Sequence, residues 1–448
     1  MARVMAGNIG NIGEAPGVTA SPAARAPRRD RAGRPIVAVT GIGLVTSLGI
    51  GKSDNWAKLT AGVSGIRRIS RFPIEGLRTT IAGTVDSIYQ DGMSPAALTE
   101  AMARLAGEEA IAESELGGKG RFPGPLCLAP PPLEVEWPCR FELAEMAAVN
   151  AEAQYPDLLR VARRYGMDRG AFRFGIVGDN LAAHFGTEGS PISLNTACAS
   201  GGSAIQLGLE AIRRGECQAV LTIGADGSVT PEQLIRFSLL SALSTQNEVP
   251  AAASKPFSKN RDGFVIAEGA AALVLEDLDH AKGRGARILG IIEGSGEKSD
   301  SFHRTRSSPD GKPIIACLRN ALADAGIGPE DVDYINAHGT STPENDKMEH
   351  LGVATVFGER IAGIPISSNK SMIGHTLTAA GLVEAAFTLL TLEHQRIPPT
   401  INYAIPDPAI RLDVVPNVAR DARVERAISN SFGFGGQNVC LVMTREPA

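Results

Sequence analysis

The sequence predicts an α/β protein, and three observations carry that reading. Short apolar runs alternate with segments of helical periodicity over much of the chain. The runs are continuously apolar rather than alternating, the pattern of strands buried on both faces. A short polar turn after a strand also opens a small-residue helix twice, at Cys198-Ala-Ser-Gly-Gly and at His375-Thr-Leu-Thr-Ala-Ala-Gly. Such an echo fits a duplicated α/β unit whose halves each contribute to one site.

The elements follow in order. Residues 1–34 are rich in Ala, Gly, Pro and Arg and poor in acids, which predicts a disordered tail. Its Arg content also suits a cleaved organelle-targeting peptide. Order is expected from Ile36, in a strand broken by glycines. A helix follows from Asp54 to Leu59, with Ser53 or Asp54 as N-cap. Residues 95–115 place Ala97, Leu98, Ala101, Leu105, Ala110 and Ile111 on or near one helical face. Residues 121–140 hold several prolines and little periodicity and read as a loop or cap. Residues 141–185 have a helical pattern.

From there the alternation is regular. A helix lies within 195–215, then a strand over 219–224. Strands at 271–276 and 287–295 come next, then a helix over 313–325 that ends at Gly326. Val332 to Asn336 reads as a strand, 345–357 as a helix, Ile364 to Ser368 as a strand and 376–394 as a long helix. Strands at 426–431 and 438–444 flank a glycine loop. The organisation expected is a tail (1–34), an N-terminal half (35–285) with a divergent cap insertion at about 86–185, and a C-terminal half (286–448).

Composition narrows the function. The chain has 448 residues, 43% hydrophobic and 21% charged, enough to bury a large core. A net charge of -5 argues against a nucleic-acid partner. No apolar stretch is long enough to span a membrane. The six cysteines are scattered without a CxxC pair, so neither a disulfide framework nor a zinc site is expected. A reducing, cytoplasmic setting is the expectation. Fifty glycines without a collagen period point to tight turns and close backbone packing.

The candidate chemistry sits at glycine-flanked turns. Cys198 lies at the predicted start of a helix, where free N–H groups and the dipole favour a thiolate. His338 ends a strand and His375 follows a polar turn, positions where α/β sheets place ligands. Phe432-Gly-Phe-Gly-Gly-Gln-Asn lacks both GxGxxG spacing and the P-loop lysine, so it is not read as a phosphate loop. Its glycines instead let backbone N–H groups approach a reacting oxygen.

Four blocks occur together and in order: Thr196-Ala-Cys-Ala-Ser-Gly, Asn336-Ala-His-Gly-Thr-Ser-Thr-Pro, Asn369-Lys-Ser-Met-Ile-Gly-His and Asn430-Ser-Phe-Gly-Phe-Gly-Gly-Gln-Asn. With Lys255-Pro-Phe-Ser-Lys-Asn-Arg-Asp-Gly-Phe and Glu268-Gly, the chain resembles the β-ketoacyl-acyl carrier protein synthases of the II type. The resemblance covers about 36–85 and 185–445. It implies a thiolase-like, five-layered αβαβα fold built from two duplicated halves, and a homodimer. It implies an acyltransferase that elongates fatty acids, with Cys198 accepting the acyl chain from a carrier-protein thioester. His338 and His375 would assist decarboxylation of malonyl-carrier and stabilise the enolate. Backbone N–H groups of Cys198 and Phe434 would form the oxyanion hole, and Phe434 would gate the acyl pocket. Lys370 would hold the site's electrostatics with Glu349 as partner, and Thr340 and Thr342 would contact the phosphopantetheine arm. No cofactor or metal is implied, because the arm arrives on the acyl carrier protein. An acidic carrier calls for a basic patch, for which Arg67, Arg68 and Arg71 are candidates.

The sequence also departs from the family. Gln437, Asn369 and Ile373 stand where threonines are usual, and Gly224-Ala-Asp-Gly replaces Gly-Gly-Ala-Glu. Residues 86–180 lack the usual blocks. Pro343-Glu-Asn-Asp-Lys-Met-Glu and the C-terminal Gly436-Gln-Asn-Val-Cys resemble an α-proteobacterial branch acting on very-long-chain acyl groups of lipid A. Two alternatives to a fatty-acid synthase stay open: a non-catalytic partner resembling the chain-length factors, and a polyketide-type ketosynthase. Heterodimerisation with a sister synthase stays open too.

Overall fold

The computed structural model describes residues 28–118, 120–132, 137–147, 156–157, 160–161 and 174–446. The centre of the molecule is one mixed sheet. Its first half contains β1 (Val37–Thr46), β2 (Leu126–Ala129), β3 (Ile192–Ser193), β4 (Ala219–Asp226) and β5 (Gly269–Asp277). They lie side by side in the order β1-β5-β4-β2-β3. The second half contains β6 (Gly290–Ser299), β7 (Tyr334–Asn336), β8 (Ile366–Ser367), β9 (Arg426–Phe432) and β10 (Gln437–Thr444), in the order β6-β10-β9-β7-β8. The senses match as well. In each set the first two pairings are antiparallel and the last two parallel. The sets meet edge to edge where Val37–Val39 pairs with Gly290–Ile292.

Helices layer on this frame. Helix α1 (Pro95–Ser114) and α2 (Ile176–Phe185) lie on the outer side of the first set. Helix α3 (Ser200–Arg213) packs against strands of both sets. Helices α4 (Lys312–Ala325) and α5 (Pro343–Phe357) cover the outer side of the second set. Helix α6 (Ala380–His394) lies against α3 in the middle. Residues 380–392 of α6 are buried on every side and, apart from Glu384, Thr388 and Thr391, are apolar or glycine.

Glycines set how closely the layers approach. A Cβ on Gly41 or Gly43 of β1 would overlap the carbonyls of Ala110 and Ala106 in α1. Gly294 and Gly296 of β6 stand in the same relation to Ala321, Ala325 and Cys317 of α4. In the middle, Gly201 and Gly381 bring the first turns of α3 and α6 into backbone contact. The echo in the sequence is therefore an echo in packing.

Three expectations need correction. Order begins before Ile36: Arg34 bonds Asp30 at 2.7 Å and Asp324 at 2.6 Å, tying the last residues of the expected tail to α4. The Pro-rich segment expected to be a loop contains the buried strand β2, paired parallel to both β3 and β4. Its second part starts a helix, Trp137–Ala147. The helix at Lys52–Thr60 has Gly51 at its N-cap, with no side-chain cap. Most of the helical pattern expected between 148 and 173, and residues 1–27, lie outside the described residues.

Candidate active site

The chemistry-bearing turns converge at strand ends. Cys198 sits just before α3, after Ala197, whose φ of 51° is a left-handed conformation that non-glycine residues rarely hold. His338 follows β7. His375 is fixed through its backbone, which accepts from Ala267 N–H at 2.9 Å and donates to the Val265 carbonyl at 2.7 Å. Phe434 lies in the glycine turn between β9 and β10. Cys198, His338, His375 and Phe434 all line one cavity of ≈ 680 Å³, a volume that includes its open mouth.

His375 Nε2 lies 3.1 Å from Cys198 Sγ. The His338 and His375 rings meet edge to face with centroids 5.4 Å apart. Their tautomers follow from the far side of each ring. Leu377 N–H donates to His375 Nδ1 at 3.2 Å, and the Lys370 ammonium lies 3.3 Å from His338 Nδ1. Both Nδ1 atoms therefore accept, so each neutral ring carries its proton on Nε2. Burial, with the Lys370 charge, holds both histidines well below the ordinary imidazole range. The cavity thus presents two uncharged imidazole N–H donors.

The sulfur and one nitrogen of each ring lie within 4.8 Å of one another, a spacing a metal ion could bridge. The tautomers oppose that: a ligating imidazole nitrogen must offer a lone pair, and both Nε2 atoms hold protons. Lys370 adds a positive charge close by.

The thiol departs from expectation. Burial pushes Cys198 up to about 11, while Lys370 and the Phe434 N–H pull it down without prevailing. The helix start does not make this cysteine a resting thiolate. The Phe434 N–H lies close enough to the sulfur to pull its pKa down, which places that donor near any carbonyl attached there.

Lys370 is the second correction. Its ammonium bonds the Glu384 carboxylate and the His338 carbonyl, the latter at 2.7 Å. Glu384, not Glu349, is its acidic partner, and burial raises that carboxyl to about 7. Glu349 instead accepts from the backbone N–H of His338 at 2.9 Å and of Gly339 at 2.8 Å, and from Asn430 at 3.1 Å. It holds the turn that carries His338. Sequence reasoning missed Glu384, although a glutamate inside an apolar helix was the available signal. Nearby, Asn336 Oδ1, Glu384 Oε2, Ser429 Oγ and Asn430 Oδ1 are buried without a hydrogen-bond partner. Such acceptors call for water or another donor.

Thr340 and Thr342 line the same cavity, with hydroxyls 2.8 Å apart. Thr342 also caps α5, accepting from Asn345 N–H at 3.2 Å. Arg71 does not join a surface patch. Its side chain is 6% exposed and pairs with Glu268 at 2.6 Å and Asp86 at 2.8 Å. Arg67 and Arg68 are exposed on a short two-residue strand. No helix among the described residues is long and apolar enough to cross a membrane.

A half-buried cysteine facing two neutral imidazoles and a lysine, at the centre of a twice-repeated α/β unit, defines a condensing-enzyme site on a thiolase-like fold. Comparison with known proteins agrees. The model of the "Beta-ketoacyl synthase, N-terminal domain" matches residues 35–108 and 164–281, and that of the C-terminal domain matches 289–404. The chain belongs to the β-ketoacyl synthase family and is an acyltransferase of that class.

It is 37% identical over 421 residues to 3-oxoacyl-[acyl-carrier-protein] synthase 2 of Coxiella burnetii, covering 91% of this chain and 98% of the relative. It is 36% identical over 423 residues to the tetracenomycin polyketide synthase ketoacyl synthase alpha subunit of Streptomyces glaucescens, covering 91% and 97%. Among solved structures, a type II polyketide acyl-carrier protein in complex with its ketosynthase bound to the hexaketide matches with a TM-score of 0.81. The identity is 33%, with 92% of this chain and 100% of the other covered. A β-ketoacyl synthase from Burkholderia phymatum matches with a TM-score of 0.78 at 32% identity, with the same coverage.

Proposed function

We propose that this protein elongates fatty acyl chains as a 3-oxoacyl-[acyl carrier protein] synthase. The observation that carries the reading is the pair of Nε2–H donors facing the Cys198 sulfur. In the first half-reaction the Cys198 sulfur attacks the acyl-carrier thioester. The Phe434 and Cys198 N–H groups hold the oxyanion, and the carrier thiolate leaves with the proton given up by the cysteine. In the second, the bond from C2 of malonyl-carrier to its carboxyl breaks, releasing CO2. Its electron pair forms an enolate whose oxygen takes hydrogen bonds from His338 and His375. C2 then attacks the Cys198 thioester, and the sulfur leaves as a thiolate that takes up a proton from solvent, giving the 3-oxoacyl-carrier and the free thiol.

The second half-reaction requires no strong base, because loss of CO2 generates the nucleophile, which suits imidazoles held neutral. Lys370 and Glu349 position His338, and Thr340 and Thr342 receive the pantetheine arm. The partner is an acyl carrier protein, consistent with the carrier complex among the similar structures. Homodimerisation, with a heterodimer as the alternative, and a cytoplasmic setting belong to the same reading, as do the absence of a cofactor and the division into tail, N-terminal half and C-terminal half.

The halves of the reaction can be separated. Cys198→Ala should abolish acyl transfer, whereas Cys198→Gln should still release CO2 from malonyl-carrier. Loss of CO2 release in Cys198→Gln would show that the histidines do not act independently of the cysteine.

A second reading has its own support. The similarity to a polyketide ketosynthase subunit is nearly equal to that to the fatty-acid enzyme. The very-long-chain lipid A reading rests on the resemblance of Pro343–Glu349 and the C-terminal segment. Acyl-carrier substrates from C-14 to C-28 test both. Rising turnover with length supports the long-chain reading, a flat profile removes it, and repeated extension without release of a single product supports the polyketide one.

A further inference from the structure

We propose that Asp226 is a positioning residue for His375: it holds the turn whose Leu377 N–H keeps the proton of that ring on Nε2. This deepens the condensing reading above and rests on it for its effect on rate. Asp226 closes β4 and is 1% exposed. Both of its carboxylate oxygens are engaged by uncharged donors. One accepts from the Ser228 N–H at 3.1 Å and from the Ser228 hydroxyl. The other accepts from the Thr378 N–H at 3.2 Å and from the Thr378 hydroxyl at 2.7 Å. Other buried acids face cations instead: Glu268 faces Arg71, Glu276 faces Arg284 and Glu384 faces Lys370. A carboxylate buried without a cation is costly unless every oxygen is hydrogen-bonded. The donors around Asp226 are therefore fixed in place with it.

Thr378 carries this constraint to the site. It lies in the short turn Leu377–Ala379, three residues after His375 and far from Asp226 in sequence. Leu377, its neighbour, has a φ of 47°, the left-handed conformation that a leucine rarely adopts. Such a conformation persists only where the surroundings hold it. The bonds from Thr378 to Asp226 supply that hold at the next residue. With the backbone so turned, the Leu377 N–H donates to His375 Nδ1 at 3.2 Å. A ring nitrogen that accepts leaves the proton to the other, so Nε2 becomes the donor that faces Cys198.

The backbone bonds of His375 to Val265 and Ala267 fix where the residue sits, but they do not reach its ring. Glu349 stands in a similar relation to His338, accepting from the N–H groups of the turn that carries it. Each imidazole thus has a buried carboxylate behind its turn. Asp226 differs in coming from the first half of the sheet, the half that leads into Cys198, so it registers His375 against the sulfur's own half.

Asp226→Asn, Thr378→Val and Thr378→Ser in the full chain test this. Asparagine turns an amide donor toward one pair of donors, and valine removes only the Thr378 hydroxyl. Both should lower kcat for CO2 release from malonyl-carrier by more than about tenfold, the scale of a small misplacement of a reacting group. KM should stay at the parental value, because the turn lies behind the ring. Thr378→Ser keeps the hydroxyl and should keep most of the rate. Ring-nitrogen chemical shifts of labelled histidine read the proton directly. The parent and Thr378→Ser should show His375 protonated on Nε2, and the other two should show a population protonated on Nδ1. If Asp226→Asn does not fold, the milder Thr378→Val carries the test. A folded Thr378→Val with parental kcat and His375 still protonated on Nε2 overturns the proposal, as does a loss of rate with the ring's proton unmoved. A parent that releases no CO2 would sink the condensing reading, and the ring shifts would still decide the role of Asp226.

Discussion

Glu384→Gln should be among the most damaging single substitutions in the molecule. The Lys370 and Glu384 side chains are 2% and 1% exposed and bonded to each other. Glutamine keeps the shape but removes the charge, leaving an ammonium buried without a counter-ion. Breaking a buried pair from one side costs about 3–5 kcal/mol. Removing both charges is far milder, because desolvation of the ammonium disappears with it. Lys370→Met/Glu384→Leu should therefore recover at least half of the lost stability in urea unfolding. It should not recover chemistry. Without Lys370, His338 loses its Nδ1 donor and its Nε2–H no longer stays aimed into the cavity, and decarboxylation should fall about 100-fold. The reasoning is refuted by a Glu384→Gln protein within about 1 kcal/mol of the parent, or by a double variant that decarboxylates at the parental rate.

Other consequences follow from the same geometry. Glu349→Ala frees the His338 and Gly339 N–H groups; CO2 release should drop more than about tenfold, while transfer of acyl to Cys198, followed by mass spectrometry, persists. Both imidazoles stay uncharged as pH falls through 6.5, since their pKa values lie well below it. The rings should therefore show no protonation near 6.5 in an NMR titration of His338 and His375, and a ring titrating there would contradict neutral rings; a limb in the rate near 7 belongs to the Glu384 carboxyl. The Cys198 thiol lies at about 11, so its alkylation by iodoacetamide should climb about tenfold per pH unit from 7 to 9. A plateau by pH 8 would mean a thiol that burial does not hold up. Gly43→Val sets a side chain against the Ala106 carbonyl and should destabilise by about 2–4 kcal/mol in denaturant titration.

Much of the fold was legible because periodicity and glycines are local signals. The strand at Val37–Thr46, the helix at Pro95–Ser114 and the alternation after residue 195 follow from the sequence almost in register. The strand Leu126–Ala129 was hidden because it is only four residues long and lies among prolines; its parallel neighbours create it. The order of residues 28–34 depends on Asp324, far away in sequence, so composition alone pointed to a tail. At the site, Cys198, His338, His375 and Lys370 were found by residue type and resemblance. The partner of Lys370 was not, although Glu384 is only 14 residues further on, because its burial shows only once α6 is packed in the middle of the molecule. The thiol's state was misjudged because helix-start electrostatics are local, whereas burial depends on everything packed around the sulfur.

The most direct test of the account is the intact mass of the protein after mixing with an acyl-carrier thioester in the absence of malonyl-carrier. The account predicts one acyl group per chain, mapped by peptide analysis to Cys198, absent in Cys198→Ala and discharged as 3-oxoacyl-carrier when malonyl-carrier is added. An acyl group on another residue, or an unmodified chain that still condenses, would contradict it.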